Sequence, residues 1–162
     1  MIKTFFFFLL FVFTISCSNI EFVLGDNQDT NFLKNNSSIT VSGEKYESFS
    51  QELFAYFGNN KGGKYKIRTT FSEKKENISV KKNQVAEKID YELTAAYSIY
   101  LNDISCNVFN KTVVTKFSFT PKSSGYNFGA DRSLDRLYKT SIKNNIQTFI
   151  NAVPNNKKLS CI

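Results

Sequence analysis

Three cysteines, Cys17, Cys106 and Cys161, are the residues of this chain best placed for covalent chemistry. Cys17 stands directly behind a short apolar run, where a thiol is positioned to receive a lipid. Cys106 and Cys161 lie far apart in sequence; in an oxidising compartment they can pair as a disulfide or remain two separate thiols. Histidine is absent from all 162 residues, which removes the usual general base, the commonest zinc ligand and any Ser-His or Cys-His nucleophile. The carboxylates Asp90, Glu92, Asp131 and Asp135 form no recognisable acid/base pair, and solvated surface charge is the ordinary role of such groups. There is no phosphate-binding loop, dinucleotide fingerprint or metal-ligand cluster. The sequence therefore argues against an enzyme and implies neither cofactor nor metal.

The thiol of Cys17 takes its meaning from what precedes it. Lys3, the apolar run from Phe5 to Phe13 and Thr14-Ile15-Ser16 make a secretory signal, and the run is shorter than the ~20 residues needed to span a hydrocarbon core. Ile15-Ser16-Cys17 resembles a bacterial lipobox, with Thr14 where leucine is usual; plain secretion with Cys17 an ordinary thiol is the alternative. If the lipobox is used, residues 1–16 are removed and Cys17 carries the acyl chains, each buried methylene contributing ~0.8 kcal/mol of anchoring. Ser18, unlike an aspartate there, permits export to the outer membrane, so the expected place is a lipid-anchored, periplasm-facing protein.

The elements that must position everything else follow from periodicity. Without residues 1–16 the chain keeps 146 residues, and its formal charge falls from +7 to +6 as Lys3 leaves. That is one domain's worth. The excess of Lys and Arg suits an anionic partner such as a phosphorylated lipid or membrane surface rather than nucleic acid, or only keeps the surface soluble. Residues 17–38 are rich in Asn, Asp and Ser and predict a lipidated tether. Ile39-Thr40-Val41 predicts a short strand cut by Gly43, and the spacing of Tyr46, Phe49, Leu53, Tyr56 and Phe57 predicts a helix stopped at Gly58. Tyr65, Ile67, Thr69 and Phe71 alternate with Lys64, Lys66, Arg68 and Thr70, a strand with a basic row on one side. Ile78 and Val80 continue it past a kink expected near Lys74-Lys75-Glu76.

Ile89 to Leu101 alternates without a break, Asn102-Asp103 opens a turn, and Val113 to Phe119 marks a third long strand ended by Pro121. Lys111 and Lys116 are expected to coat the open face of this sheet. Leu134, Leu137, Tyr138, Ile142, Ile146, Phe149, Ile150 and Val153 recur at three and four, predicting a helix capped by Asp131 or Ser133 and stopped by Pro154. The expected fold is therefore α+β: a two-layer sandwich over residues 39–153, with two helices on one face of a four-stranded, mostly antiparallel sheet, followed by a tail from 154 to 162. That tail is long enough to bring Cys161 back to Cys106 at one end of the sheet.

In this order of elements the chain resembles the lipopolysaccharide-assembly lipoprotein LptE family, in its alphaproteobacterial form. The likeness rests on Ala86-Glu87-Lys88-Ile89-Asp90-Tyr91-Glu92-Leu93 leading to Tyr97-Ser98-Ile99-Tyr100-Leu101-Asn102-Asp103, then Ser124-Gly125-Tyr126-Asn127 before a charged amphipathic helix. Phe22-Val23-Leu24-Gly25 echoes the segment that follows the lipidated cysteine in that family, without its glycine and proline. The resemblance implies a non-catalytic plug and assembly partner of the LptD β-barrel translocon that contacts lipopolysaccharide. It also implies basic lipid contacts at the turn between the second and third strands and near the start of the final helix. Those places hold Lys81, Lys82 and, a residue or two from the matching position, Arg132. Lys and Arg suit lipid phosphates by charge, Arg adding a bidentate fork. A periplasm-facing lipoprotein binding another ligand or envelope partner through the same fold is the alternative.

Overall fold

The computed structural model describes residues 32–80, 86–104, 106–121, 128–154 and 161, and within these not the side chains of 78–80, 86, 87 and 128–131. Among the described residues six elements follow one another: β1 (Ser37–Gly43), α1 (Glu47–Phe57), β2 (Tyr65–Val80), β3 (Ala86–Leu101), β4 (Cys106–Phe119) and α2 (Phe128–Ala152). They form a four-stranded sheet in the order β1-β2-β3-β4, with both helices on one face, an α+β two-layer sandwich.

Only the β1 to β2 pairing is parallel, Ser37 facing Tyr65 and Gly43 facing Phe71. Parallel neighbours need a crossover, and α1 supplies it. The chain leaves β1 through Gly43 at φ 123° and Lys45 at φ 52°. At Gly43 glycine is required twice over: its φ is unfavourable for a side chain, and a Cβ there would lie 1.9 Å from the Phe71 carbonyl oxygen. α1 ends where Gly58, at φ 71°, donates its N–H to the Phe54 carbonyl.

β2 and β3 form an antiparallel hairpin of two 16-residue strands in register from Tyr65–Leu101 to Asn77–Ile89, a ribbon of about 50 Å at ~3.3 Å per residue. No break occurs at Lys74-Lys75-Glu76. The irregularity falls between Asn77 and Ser79 instead, because Lys74, Lys75 and Glu76 all find cross-strand partners in Glu92, Tyr91 and Asp90. β4 continues the meander, with a register shift at Ile99/Tyr100 that leaves Val108 as the extra residue.

The core lies between helices and sheet. Phe49 of α1 stacks on Phe71 with ring centroids 4.6 Å apart, and Phe149 of α2 stacks on Tyr97 at 4.0 Å. Ile67, Leu93, Ala95, Ile99, Leu53, Ile142 and Ile146 fill the space between, all fully buried, each large aliphatic contributing about 1.5–3 kcal/mol. Packing reaches back to Leu33, which is also fully buried, upstream of the strand start expected at Ile39. α2 likewise begins at Phe128, so Asp131 and Ser133 sit inside its first turns and do not cap it. Lys111 differs from expectation too. It faces Tyr97 across the ladder while Lys116 faces Glu92; five residues apart on one strand, the two project to opposite faces, and Lys116 is the one on the open face.

Candidate functional site

The molecule has two distinct ends. At the tether end the chain arrives through Phe32, whose ring meets Tyr65 edge-on at 5.2 Å, and β3 and β4 are joined by the turn after Leu101. At the hairpin end β2 runs out to Val80 and β3 starts at Ala86. A second, smaller apolar cluster marks the hairpin end: Ile89, Tyr91 and Phe119, with Phe117 and Leu134 of α2 packed against it. Tyr91 stacks on its cross-strand neighbour Phe117 at 4.8 Å. Leu134 therefore docks the first turns of α2 on this end of the sheet.

This arrangement decides where the predicted lipid-contact residues fall. Arg132 is exposed on α2, two residues before Leu134, and among the described residues it has no ion-pair partner. Lys81 and Lys82 lie outside the described residues, directly after the last residue of β2. Of the three, Arg132 is the one the structure places, at the hairpin end beside Leu134. Lys75 is a basic group at this end that the periodicity did not single out: its ammonium lies 5.8 Å from the Tyr91 ring centroid, a cation–π distance. The signal was available in its odd number, which places it on the helix side of β2 with Tyr65, Ile67 and Phe71. The expected kink at 74–76 obscured it.

Two polar junctions hold α2 to the sheet. Asn145, fully buried, accepts from the Tyr97 hydroxyl at 2.7 Å and donates to the Val113 carbonyl at 3.1 Å and the Thr115 hydroxyl at 3.0 Å. Burial pushes the Tyr97 phenol well above its ordinary pKa. Nearer the hairpin end, the Glu73 carboxylate, its side chain 8% exposed, takes a 3.0 Å hydrogen bond from Lys45 and another from the Tyr138 hydroxyl. The hydrogen bond and charge of Glu73 raise the Lys45 pKa; burial first, then Glu73, raise that of Tyr138. The junction ties the start of α1, β2 and α2 together beside an open cleft lined by Glu47, Tyr91, Leu134 and Asp135.

On the open face of the sheet the hairpin half is an ion-pair ladder. Lys74 reaches Glu76 at 2.6 Å, Lys116 reaches Glu92 at 2.8 Å, and Asp90 takes Ser118 at 2.7 Å and Lys88 at 3.4 Å. The Ser118 hydrogen bond first, with Lys88 adding to it, lowers the Asp90 pKa, and Lys116 lowers that of Glu92. These lysines are held by neighbouring acids. Among the described residues no group of Cys, Asp and Glu is arranged to hold a metal, and no helix is long and apolar enough to cross a membrane.

Cys17 and the rest of residues 1–31 lie outside the described residues. Cys106 and Cys161 are joined as a disulfide with Cα atoms 5.6 Å apart, which brings the tail back to the tether end and encloses β4 and α2 in one covalent loop.

No protein-family model matches the chain, and no curated protein sequence does either. Among solved structures the chain is similar to a candidate lipoprotein from Caulobacter crescentus CB15, with TM-score 0.57, 10% identity, and coverage of 76% of this chain and 90% of that one. It is also similar to a minor lipoprotein from Acinetobacter baumannii, with TM-score 0.57, 13% identity, and coverage of 80% and 98%. The rare lipoprotein B from Shewanella oneidensis, at TM-score 0.46 and 8% identity, is too distant to carry an argument. At these identities the likeness is one of fold: this chain has the sandwich found in solved bacterial lipoproteins, spanning nearly their whole length.

Proposed function

We propose that this chain is an outer-membrane lipoprotein, anchored through Cys17 and facing the periplasm, that acts as plug and assembly partner of an LptD-like β-barrel and contacts lipopolysaccharide. The observation that carries the reading is a conjunction: the lipobox-like Ile15-Ser16-Cys17 behind an apolar run precedes a domain whose fold recurs in solved bacterial lipoproteins. The role is non-catalytic. Acyl chains on Cys17 hold the chain at the membrane, the sandwich supplies a rigid body, and the work is done by contact.

Lipopolysaccharide contact falls to Lys81, Lys82 and Arg132, which meet lipid phosphates by charge. Each charge-assisted contact contributes about 1.5–3 kcal/mol when partly desolvated and much less when exposed. Neutralising all three should weaken lipopolysaccharide binding and flatten its salt dependence. Binding by the Lys81→Gln/Lys82→Gln/Arg132→Gln protein equal to that of the parent at low salt would remove these residues from the proposal. The other class of reading, an envelope lipoprotein with a different ligand, would be favoured by binding that ignores lipopolysaccharide altogether.

A further inference from the structure

Charge on the open face of the sheet is segregated along the strands. Its acids Glu76, Asp90 and Glu92 all lie in the hairpin half, each beside a lysine. The tether half carries Lys66 and Arg68 on the open face and Lys64 at its rim, and among the described residues none of the three has a carboxylate partner. The Arg68 guanidinium lies 4.9 Å from the Tyr100 ring centroid, over its face, and Lys64 lies 5.7 Å from that of Tyr65. These aromatic contacts hold the cations in place without neutralising them. Lys34 and Lys61, both exposed, add to the same end, where Asp103 in the turn after β3 is the one carboxylate among the described residues. Beside it the turn leaves Ile104 65% exposed.

Position gives this patch an occupant. The 31 residues that precede Phe32 join the domain here, because Asn36 and Tyr65 are hydrogen-bonded at the start of β1 and β2. We propose that the tether half of the sheet is a membrane-docking surface, in which Lys64, Lys66 and Arg68 rest on the anionic headgroups of a phospholipid bilayer. It rests on the anchoring of Cys17 for its biological setting, since an anchored tether delivers this end, and not the hairpin end, to the bilayer.

The test uses the mature chain, residues 17–162, carrying Cys17→Ala, so that neither the apolar signal nor an acyl chain contributes and a failure of lipidation cannot be confused with a failure of docking. Co-sedimentation is measured with vesicles of equimolar phosphatidylcholine and phosphatidylglycerol and with vesicles of phosphatidylcholine alone. Binding should require phosphatidylglycerol and fall with salt. A basic residue at an anionic surface contributes about fivefold in affinity, so Lys64→Gln/Lys66→Gln/Arg68→Gln should lose about a hundredfold. A matched triple from the other half, Lys74→Gln/Lys88→Gln/Lys116→Gln, should bind like the parent, with far-ultraviolet circular dichroism reporting that both triples remain folded. Equal binding to the two vesicle types, an unaffected first triple, or an equal loss in the second triple would each overturn the proposal.

Discussion

Replacing Asn145 with alanine removes the side chain that ties α2 to β3 and β4 from inside the core. Asn145 is fully buried and Tyr97 is 1% exposed, so neither the Tyr97 hydroxyl nor the Val113 carbonyl can turn to water once the amide is gone; the half-buried Thr115 hydroxyl can. An orphaned buried polar group costs about 1–3 kcal/mol, and two of them with the space vacated by the amide come to about 3–5 kcal/mol. Against a domain stability of about 5–15 kcal/mol that is a large fraction, and at about 3 °C per kcal/mol for this size the midpoint should drop by about 10–15 °C. Tyr97→Phe keeps the ring on Phe149 and orphans only the Asn145 oxygen, at about 1–2 kcal/mol. The two changes remove opposite ends of one hydrogen bond, so the double variant should fall short of the sum by about 1 kcal/mol or more. The chain contains no tryptophan, and urea unfolding followed by far-ultraviolet circular dichroism is the suitable assay. A cost below about 1 kcal/mol for Asn145→Ala, or additivity of the pair within about 0.5 kcal/mol, would refute the idea that this amide clamps the helix.

Further outcomes follow from single features. Thr69 is 2% exposed and its hydroxyl has no hydrogen-bond partner, so Thr69→Val should raise stability by about 1 kcal/mol; a loss in urea unfolding would contradict that assignment. The Cys106–Cys161 bond closes a loop of sequence separation 55, for which chain entropy predicts about 4 kcal/mol. Free-thiol labelling of the unreduced mature protein should find neither residue, and two reactive thiols would count against the bond. Asp90 and Glu92 have folded pKa values below their ordinary ones, so their contribution is present above the unfolded carboxylate range and is lost as pH falls through the folded values. Ser118→Ala should raise the Asp90 pKa in an NMR titration, and a value that does not move would show that this hydrogen bond does not hold it down. Cys17→Ala should abolish palmitate labelling; label that persists places the lipid elsewhere.

The strands were legible because one-sided burial imposes alternation: Tyr65, Ile67, Thr69 and Phe71, and every second residue from Ile89 to Leu101, face the helices as their spacing requires. Helix ends were less so. Phe128-Gly129-Ala130 offers no apolar period, so α2 was expected to start later than Phe128. Asn145 sits three residues from Ile142 and four from Phe149, on the apolar stripe of α2, and that position could have exposed it as a buried polar clamp. What hid it is that its partners, Tyr97, Val113 and Thr115, lie 30 to 48 residues away, a distance only the folded register closes. The ion-pair ladder was hidden for the same reason, since Glu92 meets Lys116 across a pairing that composition cannot reveal. Of the candidate site, Arg132 falls on α2 beside the Ile89-Tyr91-Phe119 cluster, while Lys81, Lys82 and Cys17 lie outside the described residues.

The proposed partnership with an outer-membrane barrel is open to direct test. The measurement that tests it most directly is affinity purification of the intact chain from membranes in mild detergent, followed by identification of what accompanies it. A large β-barrel protein should be recovered in stoichiometric amount and lost when the chain is omitted. Recovery of the chain alone, folded and with Cys17 acylated, would contradict it.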